Sequence, residues 1–156
     1  MSVKMAVAVM QETPVFRKLD PKRLRVVAMM GETLSYRSGE RLFEAGDEGD
    51  SAFVILDGRV DVVLPVEGGE VAVAVLETGE IFGEIAALTC QPRTSGIIAH
   101  DDLSVLRLDR QTILSLMREF PDISLELIRV VADRLKDTSN QLAHTQNQLE
   151  RLGRAD

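Results

Sequence analysis

The spacing of apolar positions changes twice along the chain, from a helical period to short alternating runs near Glu32, and back to a helical period near Asp109. In the first part, residues 1–31, Val3 to about Gln11 predicts a helix that stops near Thr13-Pro14, because the residue before a proline avoids the α region. Phe16 and Leu19 follow as apolar anchors. Asp20 as N-cap and Pro21 at the first helical position start a second helix. Its apolar face is Leu24, Val26, Val27 and Met30, and Gly31 ends it.

Residues 32–108 read as β structure. Tyr36, Leu42-Phe43, Ala52 to Leu56, Val60 to Leu64 and Val71 to Leu76 are short runs of strand-forming residues. Glycine-bearing segments separate them: Ser38-Gly39, Gly46 to Asp50, Asp57-Gly58 and Gly68-Gly69. Asp57-Gly58 and Gly68-Gly69 are hairpin turns, since their residues tolerate positive φ. Ile97 to Ala99 and Leu103 to Leu108 add two further strands, the second alternating cleanly. Short strands at regular spacing predict an antiparallel barrel or jelly roll.

In residues 109–156, Asp109 caps a helix carrying Ile113, Leu114, Leu116 and Met117 that ends near Phe120-Pro121. From Asp122 a helix continues to about Leu152 without a glycine or proline, a length of roughly 45 Å at the usual rise. Leu125, Ala132, Ser139 and Gln146 alternate with Ile128, Leu135, Leu142 and Leu149 in a seven-residue repeat. That seam predicts a parallel coiled-coil homodimer, with Ser139 and Gln146 weakening it, against the simpler alternative of one helix packed on the roll. The closing residues Arg151 to Asp156 are expected to fray. The whole is an α+β chain: an antiparallel β jelly-roll barrel with N-terminal helices and a long C-terminal dimerisation helix.

Composition narrows the chemistry. A chain of 156 residues fits a single domain able to bury a sizeable core. Its net charge of −7 argues against nonspecific binding to nucleic acid or an anionic membrane, so any anion site is local. Met5 to Met10 is apolar but too short to span a bilayer. Cys90 is the single cysteine, which leaves no intrachain disulfide and fits a cytoplasmic setting. The two histidines, His100 at the end of a β run and His144 on the long helix, cannot supply the histidine and carboxylate cluster of a jelly-roll metalloenzyme. No cofactor, metal or enzymatic activity is expected.

The candidate chemistry lies in residues 81–96. Ile81-Phe82-Gly83-Glu84-Ile85-Ala86-Ala87-Leu88 is followed by Pro92-Arg93-Thr94-Ser95. Singly, Gly83 reads as a turn glycine, Glu84 as an acid at a helix start and Arg93 as a surface charge. Together they make an anion site: the glycine admits close backbone approach, the residues after it begin a short helix with free N–H groups, and the guanidinium grips two phosphate oxygens.

This segment resembles the phosphate-binding cassette of the cyclic nucleotide-binding domain family. Ser38-Gly39-Glu40, Gly46-Asp47, Gly49-Asp50, Phe53, Ile55, Gly58 and Val60 are similar to that family's glycine skeleton. The resemblance covers nearly the whole chain and implies an eight-stranded roll. It implies that Phe82, Gly83, Glu84, Ile85, Ala86, Pro92, Arg93, Thr94 and Ser95 form the ligand site, with Arg93 on the phosphate and Glu84 accepting from a ribose hydroxyl while pairing with Arg93. In the long helix, Arg134 to Ser139 is similar to a segment of bacterial members of the family. There Thr138 would reach the base bound in its own protomer and Ser139 the base bound in the partner. That match pulls toward cyclic AMP, whereas the Thr94 hydroxyl would also suit a syn guanine, so cyclic GMP stays open. Ser95-Gly96, where alanine is frequent in the family, departs from the pattern and makes the site more polar.

The resemblance thus implies a homodimeric, ligand-sensing module that repositions its C-terminal helix and is read by an unidentified protein effector. Transcription factors of the family carry a helix-turn-helix after the long helix, and none precedes Asp156. Direct contact with nucleic acid is therefore not expected, nor is a membrane. The alternatives are the sensory half of a transcription regulator and a ligand-free dimeric interaction protein.

Overall fold

Three helices begin where a polar side chain accepts a backbone N–H. Ser2 accepts from Met5 N at 3.2 Å, Asp20 from Arg23 N at 2.9 Å and Asp109 from Thr112 N at 2.8 Å. In the computed structural model, which describes residues 2–154, they start α1 (Val3–Glu12), α2 (Pro21–Met30) and α4 (Arg110–Glu119). Between α2 and α4 lie β1 (Glu32–Tyr36), β2 (Arg41–Phe43), β3 (Ser51–Asp57), β4 (Val60–Val66), β5 (Gly69–Leu76), β6 (Ile81–Phe82), the short α3 (Glu84–Thr89), β7 (Gly96–Ala99) and β8 (Leu103–Asp109). The final helix, α5, runs from Pro121 to Arg154. It passes the expected end near Leu152, and of the segment expected to fray, positions 155 and 156 lie outside the described residues.

The strands form two antiparallel four-stranded sheets in the orders β1-β8-β3-β6 and β2-β7-β4-β5, a jelly-roll arrangement. The first sheet has two buried faces. Phe53 and Ile55 of β3 and Val105 of β8 point between the sheets and meet Val60, Ile97 and Phe82. Ala52, Val54, Leu56, Leu106 and Leu108 point the other way and meet Met10, Phe16, Leu24, Ile113, Leu116, Ile123 and Leu127 from the helical layer. This explains why Ala52 to Leu56 is a continuous apolar run rather than an alternating one. It also corrects the expectation of clean alternation in β8, where the adjacent Val105 and Leu106 are both buried on opposite faces.

The second sheet has an open outer side, and β5, paired with β4, forms its edge. Val71, Val73 and Val75 of this edge strand remain half exposed. On α2, Leu24 and Val27 are buried as expected, whereas Val26 and Met30 are exposed. A ten-residue helix lying on one surface buries a single narrow stripe, which here is completed by Ala28.

At its base α5 is anchored by Ile123 and Leu127 and by the buried Glu126, which pairs with Lys18 at 3.3 Å and Arg129 at 2.7 Å. Beyond that base its apolar seam is bare: Ile128, Leu135, Leu142 and Leu149 are each more than 60% exposed. Among the described residues no helix is long and apolar enough to cross a membrane.

Ile55 is fully buried between the sheets and Val71 is not. Ile55→Ala is expected to cost about 2–5 kcal/mol of unfolding free energy and Val71→Ala about 0.5 kcal/mol or less, checked by urea denaturation.

Candidate functional site

Arg93 lies on the loop between α3 and β7, and its backbone is fixed first. Its N–H donates to Asp47 O and its carbonyl accepts from Gly46 N, both at 2.8 Å, which ties the loop to the turn before β3. The side chain is 6% exposed. Nη1 donates to Gly83 O at 3.0 Å and Nη2 to Ser51 Oγ at 3.4 Å. The guanidinium carbon stands 4.2 Å from the Phe43 ring centroid and 5.7 Å from that of Phe53, giving it two aromatic faces.

Two glycines set the width of this slot. A methyl group on Gly49 would stand 2.8 Å from Arg93 Nε, and one on Gly83 2.7 Å from Nη1. Gly83 also needs its freedom, because at φ +79° it turns the chain from β6 into α3. The N–H groups of Glu84, Ile85 and Ala86 then open α3 without an intrahelical acceptor.

Among the described residues no carboxylate lies within ion-pair distance of Arg93, and its buried Nε–H has no acceptor at all. Burial pushes the guanidinium below its ordinary pKa; Asp50 opposes that shift and Arg107 adds to it. A desolvated cation with a free donor is what an incoming anion would satisfy.

Glu84 is 2% exposed and takes a different partner from the one expected. It pairs with Arg134 of α5 at 2.6 Å, and Arg134 also donates to Ile81 O. The expected pairing of Glu84 with Arg93 is not made. Arg93 has turned toward Gly83 O and Ser51, while Glu84, at the N-terminus of α3, faces α5.

A cavity of about 600 Å³ opens beside Arg93. Phe82, Gly83, Glu84, Ile85, Ala86, Arg93, Thr94, Ser95 and Thr138, all read from the sequence as candidate site residues, line it. Pro92 and Ser139 do not: Pro92 is exposed on the outside of its loop, and Ser139 lies one residue, about 100°, further round α5 than Thr138. Four lining residues come from α5, Arg134, Asp137, Thr138 and Gln141, and their spacing places them on one stripe. Sequence reading singled out only Thr138 of these. It also missed Phe43, Ser51 and Gly49 around Arg93, and the apolar wall of Val62, Leu64, Val73 and Leu76.

His100, His144 and Cys90 stand apart from the cavity. His100 Nδ1 is 2.8 Å from Asp61 Oδ1, His144 is exposed on α5, and Cys90 is exposed at the end of α3. Among the described residues no three potential ligands gather into a metal site.

Residues 33–120 match the family described as Cyclic nucleotide-binding domain. The chain is 27% identical over 130 residues to the CRP-like cAMP-activated global transcriptional regulator of Mycobacterium tuberculosis, covering 83% of this chain and 58% of that one. It is 29% identical over 134 residues to the Cyclic AMP receptor protein of Thermus thermophilus, covering 85% of this chain and 62% of that one. The crystal structure of Thermus thermophilus Catabolite Activator Protein superposes with a TM-score of 0.77 at 29% identity, over 83% of this chain and 62% of that chain. The chain spans about three-fifths of the length of these relatives.

Gly68 offers an internal control for Gly83, since it has nearly the same φ, +82°, with nothing near its missing side chain. Gly68→Ala is expected to cost about 1–2 kcal/mol from backbone strain alone. Gly83→Ala is expected to exceed it by about 1–3 kcal/mol, because its methyl group overlaps the Arg93 guanidinium. Denaturant unfolding of both variants measures the difference.

Proposed function

The chain belongs to the cyclic nucleotide-binding domain family, and from that premise we propose that it is a homodimeric cyclic-nucleotide sensor with a preference for cyclic AMP. The observation that carries the reading is the buried Arg93, with its Nε–H unpaired beside a cavity of nucleotide size. In this reading Arg93 and the N–H groups of Ile85 and Ala86 hold the cyclic phosphate. Glu84 accepts from the ribose hydroxyl, while Phe82, Thr94, Ser95 and the apolar wall enclose the sugar and base. The protein acts by binding and carries out no catalysis of its own.

Thr138 faces the cavity and is the candidate reader of the base in its own protomer. Ser139, one residue further round α5 and outside the cavity lining, is the candidate reader of a base bound in the partner protomer. Both side chains belong to α5, as does Arg134, whose partner Glu84 the ribose would engage. A ligand that changes what Glu84 bonds changes the hold of the cassette on α5, and this is how the position of that helix would report occupancy.

The bare seam of Ile128, Leu135, Leu142 and Leu149 supports the dimer, because apolar side chains at d positions are stable when a second helix covers them. The effector that reads the helix is a protein, in a cytoplasmic setting. A second reading, the sensory part of a transcription regulator, is favoured by the greater length of a relative whose name is that of a transcriptional regulator.

Calorimetric titration with cyclic AMP, cyclic GMP and 5′-AMP tests the proposal. One cyclic nucleotide per protomer, cyclic AMP tightest and 5′-AMP far weaker, is the expected result. Arg93→Met should weaken binding by about 2–5 kcal/mol, since an anion is left without its charged partner. The same change should move ligand-free stability by no more than about 1 kcal/mol, because the buried charge it removes is poorly paired. Binding as tight as that of the wild-type chain would sink the site. For the dimer, Leu135→Glu combined with Leu142→Glu should convert a dimer to a monomer in analytical ultracentrifugation.

A further inference from the structure

Arg110 opens α4 directly after β8, and its half-buried side chain reaches two other parts of the molecule. Nε donates to Ala87 O at 2.6 Å, and Nη2 donates to Gly49 O at 2.9 Å with a longer contact to Ala86 O at 3.4 Å. Its backbone N–H donates to Asp50 O at 2.8 Å.

These acceptors belong to the two walls of the Arg93 slot. Gly49 stands against Arg93 Nε, and α3, which carries Ala86 and Ala87, starts from Gly83 on the other side of the guanidinium. The walls touch each other as well, since a methyl group on Gly49 would come within 2.6 Å of Ala86 Cβ. A cation near the end of α3 would by itself be explained by the helix carbonyls. Gly49 O is outside that helix, and helix capping does not account for a fork that takes both.

We propose that Arg110 is a positioning residue for Arg93: its guanidinium clasps the Gly49 turn to the last turn of α3 and so fixes the slot in which Arg93 meets the ligand. The proposal rests on the reading of Arg93 as the phosphate ligand. It concerns a planar bridge and not a charge, so lysine, a single-point donor, keeps the charge and loses the bridge. Because Arg110 is also the first residue of α4, the clasp joins the phosphate site to the helices that lead into α5.

Two readouts on the full chain test it. The first is the Arg93 Nε–H resonance of the ligand-free protein by nitrogen-15 NMR, assigned by its loss in Arg93→Met. The second is the affinity for cyclic AMP. In both Arg110→Met and Arg110→Lys the Arg93 signal should shift and its hydrogen exchange quicken. Affinity should fall about ten- to hundredfold in both, the range for losing hydrogen bonds from a charged group. An unchanged Arg93 signal in Arg110→Met overturns the proposal, as does full wild-type affinity in Arg110→Lys, which would assign the effect to charge. If the wild-type chain takes up no cyclic AMP, the sensor reading falls, and the Arg93 resonance still decides the positioning role. Should Arg110→Met fail to fold, the lysine variant carries both readouts.

Discussion

A guanidinium held out of water without a carboxylate partner among the described residues is the constraint around which the structure is arranged. Removing a charge from water costs several kcal/mol unless the surroundings compensate it. Around Arg93 the compensation is partial: one backbone carbonyl, one hydroxyl and the faces of two phenyl rings, with Nε left over. A side chain at Gly49 or Gly83 would overlap the guanidinium where it now stands. The contributors come from β2, the turn before β3, β3 itself and the start of α3, so the slot exists only once both sheets have closed.

The second organising feature is the sheet made of β1, β8, β3 and β6. Phe53 on one face belongs to the Arg93 slot, while Val54 on the other belongs to the helical core, so the slot and the helices are separated by one strand. The α5 helix joins the two sides. Its base is fixed by Ile123 and Leu127, its middle meets the cavity through Arg134 and Thr138, and its far half carries an uncovered apolar seam. The Arg134–Glu84 pair is therefore the contact through which the cassette holds the helix.

Most of the fold was legible because its signals are local. Asp20-Pro21 and Asp109 cap their helices as their residue types dictate, and Gly58 and Gly68 take the positive φ that their hairpins require. The errors fall where burial depends on a neighbour distant in sequence. Val26 and Met30 look like core residues on a helical wheel, yet α2 has one covered stripe. In β8 the reverse holds, since helices cover a face that a two-layer roll would leave open.

The chemistry of the candidate site is local: Gly83, Glu84 and Arg93 stand within one short segment, and their residue types specify a tight turn, an acceptor and a planar cation. Tertiary structure decided who partners whom. Glu84 is fifty residues from Arg134 and ten or fewer from Arg93, yet it pairs with the distant one. Gly49, Ser51, Phe43 and Arg110 likewise reach the slot only because the sheet holding β3 and β8 packs against the sheet holding β2, with α3 beside them. Backbone preference and residue chemistry are properties of a few neighbouring residues and can be read from them. Which charge meets which depends on the relative placement of whole elements, and that is fixed by the packing of two cores on the faces of one sheet.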